Sequence, residues 1–222
     1  MTISDSDYQD ALLQISEYLQ TLGIEIIAEI DEERGDTSID GFLVDAGGRE
    51  IAITGTPSLE YFRAEIEYDV RGECVEINEV EKRLQERGIN RDEEVRAALE
   101  DGIEIDLDDI THEDFIEAAE ESISQINHDE LQHTLISHLA EGENVFNLYN
   151  DQGIVFGFSI SRRIFVYENS FTISKFNSEL QEIVNSSIIP HNLLADVYNL
   201  GSINVDTGDD RGISPSDDPA FR

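Results

Sequence analysis

The residues that could do chemistry in this chain are few, and the histidines are the first candidates. His128, His133 and His138 stand five positions apart, which is about 140° around a helix of 3.6 residues per turn. Ligand pairs on one helix face stand three or four residues apart, so these imidazoles should diverge. His112 and His191 are isolated. The spacing therefore predicts no metal centre.

An acidic run at residues 106–117 has part of the pattern of a calcium loop. Asp106, Asp108 and Glu117 fall at its first, third and twelfth positions. Ile110 stands where a ligand is needed, and Thr111 stands where glycine would make the sharp turn. We therefore predict no calcium site.

The sequence also gives little evidence of a catalytic nucleophile. Cys74 is the single cysteine, which excludes an internal disulfide, and Glu73 and Glu76 beside it should raise the pKa of its thiol. The chain has no phosphate-binding loop, no dinucleotide-binding glycine motif and no nucleophile elbow. We predict a protein that is not an enzyme, with no catalytic, cofactor-binding or metal-binding residue and no cofactor.

Arg162 and Arg163 are the one pair of adjacent arginines in the chain. They could hold a carboxylate-rich segment of a partner, or they could pair with acids of their own sheet. The strand predicted after them has apolar residues on both faces, with Phe165 and Tyr167 on the second face. Because a sheet covered on one side should alternate apolar with polar residues, we interpret Arg162, Arg163, Phe165 and Tyr167 as a candidate interaction surface. The first half of the chain, a second copy or a partner could cover it.

The net negative charge of the chain is very large, and it limits the classes of molecule that the protein can bind. Fifty acidic residues against fourteen basic ones leave a net charge of −36, and only two residues are lysines. Nucleic acid and anionic membranes should be repelled. The pattern is typical of halophilic archaea, whose cytoplasm holds molar KCl, and no secretion signal or membrane span is recognisable. We expect a cytoplasmic protein that binds neither nucleic acid nor membrane.

Hydrophobic periodicity predicts one helix and four strands, followed by charged helices. Gly47-Gly48 is a hairpin signal between the second and third strands. The predicted elements are helix 8–22, strands 24–30, 39–46, 49–54 and 62–70, and helices 78–88 and 91–101.

The second half repeats this order. Thr111 and Asn127 have the spacing of helix N-caps, and Pro190 should end a later helix. The predicted strands are 144–149, 153–160, 162–168 and 171–175, followed by that helix and a short helix at 192–199.

The fold class that follows is α+β, a helix-flanked antiparallel β-meander in two tandem copies. The predicted domains are 1–103, 104–200 and a disordered acidic tail at 201–222. One mixed domain with a long helical insertion is the alternative.

The first half resembles the type III secretion chaperone-like and YbjN-like domains. The resemblance lies in the Tyr8–Leu22 stripe, the Ile24–Ile30 alternation, the Gly47-Gly48 hairpin and the Phe62–Val70 strand. It implies a small, often dimeric domain that binds extended segments of partner proteins and has no catalytic residues.

These expectations favour a noncatalytic protein-interaction or chaperone-like module of a halophilic archaeon, with a protein partner or a homodimer. The alternative is an enzyme or a small-molecule-binding regulator of another family. A third hypothesis, an acidic DNA mimic, is less favoured because the acids are spread over every segment rather than grouped.

Salt should stabilise the fold if the acidic excess is an adaptation to molar KCl. The Debye length falls from about 10 Å at 0.1 M salt to about 3 Å at 1 M, which screens the repulsion among carboxylates. We expect the melting temperature to rise steadily from about 0.1 M to 2 M KCl, as followed by circular dichroism. A melting temperature that stays flat over this range would contradict the halophilic interpretation.

Overall fold

The structure, a computed structural model, describes residues 3–34, 37–86, 111–140 and 143–200. Within them the chain forms five helices and six strands. In chain order they are α1 (Asp5–Leu22), β1 (Glu25–Arg34), β2 (Thr37–Asp45), β3 (Glu50–Gly55), β4 (Phe62–Asp69), α2 (Arg71–Glu86), α3 (His112–Gln125), α4 (His128–Leu139), β5 (Val145–Asp151), β6 (Ile154–Ile164) and α5 (Ile173–Val197).

Local signals position the helix ends. Ser4 caps α1 in a reciprocal capping box with Asp7, and Gly23 ends the helix in the left-handed region at φ 70°. Thr111 forms the same kind of box with Asp114, and the Asn127 side chain accepts from the Glu130 N–H. The helix starts predicted at Thr111 and Asn127 are therefore confirmed.

The six strands form one antiparallel sheet in the order β1-β2-β3-β4-β6-β5. Gly47 and Gly48 make the predicted hairpin turn, with φ 71° and 76°, and the Ala46 N–H donates to the Arg49 carbonyl at 2.9 Å. The predicted α+β class and antiparallel pairing are confirmed. The strands of the two halves belong to one sheet because β4 pairs with β6, and separate tandem sheets are not seen.

The described helices build the core on one face of the sheet. Tyr8 of α1 stacks on Phe62 of β4, with ring centroids 5.6 Å apart. Phe176 and Leu180 of α5 are fully buried, as are the sheet residues Phe158 and Ile160. The opposite face, where Arg63, Glu65 and Glu67 of β4 alternate with the core residues, is called the open face below.

Two predictions for the second half are wrong. The separate strand predicted at 162–168 does not form, because residues 162–164 are the end of β6 and residues 165–168 are not in a strand. β6 stops at Ile164, where its partner β4 begins opposite it at Phe62. The strand predicted at 171–175 overlaps the start of α5, which Thr172 caps by accepting from the Lys175 N–H.

The helix predictions also need two corrections. Pro190 does not end a helix but lies inside α5, which continues to Val197. Pro190 and the following Leu194 and Ala195 are buried, so packing outweighs the missing backbone hydrogen bond. The helix predicted from Asn78 starts earlier, at Arg71.

Several predicted segments lie outside the described residues: the helix at 91–101, the domain boundary between 103 and 104, residues 106–110 of the calcium-like run and the tail at 201–222. No helix in the described ranges is long and apolar enough to cross a membrane.

The close packing of β4 against β6 makes Gly157 sensitive to substitution. A Cβ atom there would overlap the Tyr68 carbonyl oxygen, and it would lie 3.2 Å from the Asp69 Cα. Gly157→Ala should therefore lower the free energy of unfolding by about 1–3 kcal/mol, as measured by denaturant titration at 2 M KCl.

Ser159→Ala, two residues along the same strand, is the control. It removes one hydroxyl that accepts from Asn147 Nδ2 at 3.3 Å, and it should cost less than about 1 kcal/mol. Equal stability of the two variants would contradict the prediction, because it would show that β4 and β6 can move apart enough to accommodate a Cβ atom at Gly157.

Candidate functional site

The register between β4 and β6 assembles an exposed group of aromatic and basic side chains. Phe62 pairs with Ile164 on the core face, and Arg63 lies directly opposite Arg163. Since side chains alternate along a strand, Tyr61 and Phe165 fall on the open face with the two arginines. We call Tyr61, Arg63, Arg163 and Phe165 the aromatic–arginine patch.

The geometry of the patch shows direct contacts between its members. The Tyr61 and Phe165 ring centroids are 5.9 Å apart, and the Arg163 guanidinium carbon lies 4.9 Å from the Tyr61 ring centroid. Phe165 is 40% exposed, so it is one of the large apolar side chains that remain in contact with solvent. The cation–π contact orients the Arg163 guanidinium while leaving it hydrated.

The charges in the patch are unusual for this chain. Two arginines directly opposite each other on neighbouring strands repel, and they do so in a protein with net charge −36. Arg63 pairs with Glu65, whereas Arg163 forms no ion pair with any described residue. The patch thus contributes one cation, Arg163, that no described carboxylate neutralises, on an acidic protein.

The structure separates the four residues that the sequence predicted together. Arg163 and Phe165 lie in the patch, but Arg162 points to the helix-covered face. There it pairs with Glu179 and with Glu182, the latter at 2.8 Å. Arg162 therefore follows the second interpretation, pairing with local acids.

Tyr167 also lies away from the patch. It is half-buried and packs against the core, where its hydroxyl is buried and has no hydrogen-bond partner among the described residues. Burial raises the pKa of Tyr167, and the Asp7 carboxylate adds to this.

A second group of polar side chains lies at the other end of β4, where Arg49, Cys74 and His191 are buried and Tyr68 and Glu73 are half-buried. Arg49 follows the hairpin, Tyr68 is in β4, Glu73 and Cys74 are in the first turns of α2, and His191 is in α5. We call these five residues the buried polar cluster. The Tyr68 and His191 ring centroids are only 4.0 Å apart.

Burial sets the protonation states in the buried polar cluster. It lowers the pKa of His191 to about 4, helped by the Arg49 charge and opposed by Asn192. It also raises the pKa of the Glu73 carboxyl. Burial and then Glu73 raise the pKa of the Cys74 thiol to about 12. The predicted rise for Cys74 is confirmed, with burial as its larger cause.

The His, Cys, Asp and Glu side chains of the described residues do not group into a metal site. In the part of the chain that the structure describes, no three His, Cys, Asp or Glu side chains are placed to hold a metal ion. The His128 Nδ1 accepts from the Val155 N–H at 3.4 Å, and His112 lies 3.4 Å from the Asp151 carboxylate.

Sequence reasoning missed Tyr61 and Arg63 of the patch, and Arg49, Tyr68 and His191 of the cluster. Both groups join residues that are far apart in the chain, so no local spacing reports them. The alternation of Phe62–Val70 did indicate that Arg63 lies on an outward face, but not that Arg163 lies opposite it.

Comparisons with known proteins support the fold and leave the activity open. No protein-family model matches the chain, and no match was found among the curated proteins. A crystal structure of an uncharacterized protein from Methanothermobacter thermautotrophicus is similar, with a TM-score of 0.53 and 10% identity. The alignment covers 85% of this chain and 99% of that one, so the two chains share a fold over most of their length.

The buried, neutral His191 should make the protein sensitive to mild acid. Its folded-state pKa of about 4 lies below the ordinary value of 6.5, so the unfolded chain binds the proton first. Stability is therefore lost as the pH falls from 6.5 towards 4, and no more is lost below that. Relative to His191→Phe, which keeps a ring against Tyr68, the wild type should lose about 2 kcal/mol between pH 7.5 and pH 5.

Denaturant titrations of the two proteins across this pH range, at constant KCl, measure the difference. Other carboxylates titrate in both proteins and cancel in the comparison. Parallel curves for wild type and His191→Phe would contradict the buried neutral state of His191.

Proposed function

We propose that this protein is a noncatalytic protein-interaction module that binds an acidic, apolar-containing extended segment of a partner through the aromatic–arginine patch. The observation that carries the proposal is the grouping of Tyr61, Phe165 and two arginines on the open face of an otherwise acidic protein. We infer that it works in the salt-rich cytoplasm of a halophilic archaeon, as its charge suggests.

The composition of the patch is that of an interaction hot spot. Tyrosine and arginine dominate the residues whose truncation weakens protein complexes most, and aromatic residues are enriched at interfaces. Tyr61 and Phe165 offer rigid apolar area, and Arg163 is already oriented by its contact with Tyr61. A partner therefore meets a surface that loses little side-chain entropy on binding.

Charge complementarity selects the partner. Carboxylates are attracted to Arg163, which forms no ion pair with any described residue, whereas the surrounding surface repels an acidic chain. A segment that combines acidic and apolar residues can satisfy both the guanidinium groups and the aromatic rings. Because the surface outside the patch repels an acidic segment, the complex has one favoured orientation.

The open face suits an extended segment. The described helices pack on the opposite face of the sheet, so a strand-like chain could lie along the ends of β4 and β6 without displacing an element. The resemblance to chaperone-like domains, which bind extended segments of partner proteins, points in the same direction.

A synthetic peptide with alternating Glu and Phe residues tests the proposal, because it carries both features of the partner. Wild type should bind the labelled peptide in fluorescence anisotropy at 1 M KCl, and a peptide with Gln in place of Glu should bind more weakly. Phe165→Asp should weaken binding by about tenfold or more, as expected for a hot-spot residue.

The matched control is Leu13→Asp, because Leu13 is a 60% exposed apolar residue on α1, outside the patch. It should bind the Glu/Phe peptide as wild type does. Equal weakening by both variants, or none by Phe165→Asp, would contradict the proposal.

Other occupants of the patch would give different results. A doubling of mass in light scattering that Phe165→Asp abolishes would identify a second copy as the occupant. Stronger peptide binding after deletion of residues 201–222 would identify the acidic end of this chain. Either result would show that the patch binds a part of this protein rather than a separate partner.

A further inference from the structure

The outer edge of the sheet, at β5, points to a self-association surface that is separate from the patch. We propose that the protein forms a homodimer in which β5 of one copy pairs antiparallel with β5 of a second copy, with Asn147 at the twofold axis. The six-stranded sheets of the two copies then join into one. This inference does not depend on the protein segment proposed to bind the patch, because the patch lies at the ends of β4 and β6.

β5 is the last strand on one side of the sheet. In the order β1-β2-β3-β4-β6-β5, the strand that pairs with β5 is β6, and no other described residues pair with it. Alternate N–H and C=O groups along such an edge point away from the sheet. A further antiparallel strand would satisfy them with the same kind of hydrogen bonds that hold the sheet together.

The two edge strands of the sheet differ in charge and in regularity. Five of the ten residues of β1 are Asp or Glu, and a bulge between Ile26 and Ala28 interrupts its pairing with β2. Charges and bulges keep edge strands from pairing with other chains. Residues 145–149 of β5 include no charged residue, and their register with β6 is regular. β1 is therefore protected against pairing with another strand, whereas β5 is not.

The side chains of β5 leave apolar area in contact with solvent. Val145 is 53% exposed. Phe146, Leu148 and Tyr149 are half-buried, and Asn147 is exposed on the open face, opposite Ser159. A second strand along this edge would remove apolar area from water on both faces of the sheet, which favours association.

Symmetry restricts the register of the two β5 strands. A twofold axis that continues the sheet is perpendicular to it, so the open faces of both copies lie on the same side. Opposite residues of an antiparallel pair share a face, so the axis passes beside a residue and not between two residues. With Asn147 at the axis, residues 145–149 all pair with the same five residues of the second copy. Beyond them, the register with β6 shifts between Tyr149 and Asn150.

This register is self-complementary, as a twofold interface requires. On the open face, Val145 lies opposite Tyr149 of the second copy. On the core face, Phe146 lies opposite Leu148 of the second copy. Aromatic and aliphatic residues in opposite positions are favourable cross-strand pairs. At the axis the two Asn147 amides meet, and each amide can both donate and accept a hydrogen bond.

The charge of the protein favours contact through this edge. Each copy carries a net charge of −36, so a contact between acidic surfaces would be repulsive. Residues 145–149 contain no carboxylate, and the register places no like charges opposite each other within them. The remaining repulsion is screened at 1 M salt, where the Debye length is about 3 Å. β5 is therefore an edge at which two strongly acidic copies can meet.

Sedimentation equilibrium at about 1 M KCl, where this repulsion is screened, tests the proposal. Wild type should have twice the mass of one chain. Asn147→Asp places two carboxylates opposite each other across the axis, and Asn147→Lys places two ammonium groups there. Each variant should raise the Kd of the dimer by at least about tenfold. Because position 147 is exposed, both variants should keep the wild-type circular dichroism spectrum.

A mixture of the two variants tests the position of the axis. Equal amounts of Asn147→Asp and Asn147→Lys place opposite charges across the axis only if residue 147 lies opposite itself. The mixed dimer should therefore form at least about tenfold more tightly than either variant does with itself. Ile27→Asp is the control, because it adds a carboxylate at a 46% exposed position of the other edge strand. It should dimerise as wild type does.

Five results would overturn the proposal. The first is a wild type with the mass of one chain, which would mean that the edge of β5 is left free or is covered by another segment of the same chain. The second and third are unchanged dimerisation of both Asn147 variants, and a mixture that associates no better than each variant alone. The fourth is equal weakening by Ile27→Asp. The fifth is loss of the dimer in Phe165→Asp, which would place the second copy on the patch.

Discussion

The pairing of β4 with β6 is the contact on which the rest of the structure depends. These strands come from different halves of the chain, and their register runs from Phe62 opposite Ile164 to Asp69 opposite Gly157. Without it the chain would have two small sheets, each with an additional exposed edge. With it, one six-stranded sheet offers a single continuous face on which α1, α4 and α5 bury their apolar sides. The pairing is close because Gly157 has no side chain to meet the backbone of β4.

The same pairing separates two kinds of surface. At one end of β4 it brings Tyr61 and Arg63 beside Arg163 and Phe165, on the open face and in solvent. At the other end Tyr68 turns to the covered face, where α5 places His191 against it. One strand therefore carries an exposed basic patch and a buried polar cluster at its opposite ends. The two groups therefore lie on different faces of the sheet.

The net negative charge of the chain explains why arginines without ion pairs are unusual at both places. An arginine on the surface of an average protein has many carboxylate partners within reach, and most such pairs contribute little. In this chain acids outnumber bases so strongly that an arginine without an ion pair is a marked feature. Arg163 is held by an aromatic ring instead of a carboxylate, and Arg49 is buried with an unsatisfied donor. Arg162, by contrast, is paired with Glu179 and Glu182 and serves the packing of α5 on the sheet.

Local patterns in the sequence determined the α+β class, α1, the first four strands, the Gly47-Gly48 hairpin and the caps at Thr111 and Asn127, because those signals act between residues close in the chain. Only the tertiary structure decided where β6 ends, since that depends on where its partner β4 begins. It also decided that α5 continues through Pro190, because burial of Leu194 and Ala195 outweighs one lost hydrogen bond. The composition of the patch and of the buried polar cluster was likewise decided there. Arg63 meets Arg163, and Arg49 joins Tyr68 and His191, only through pairings between distant segments, which no local spacing in the sequence encodes.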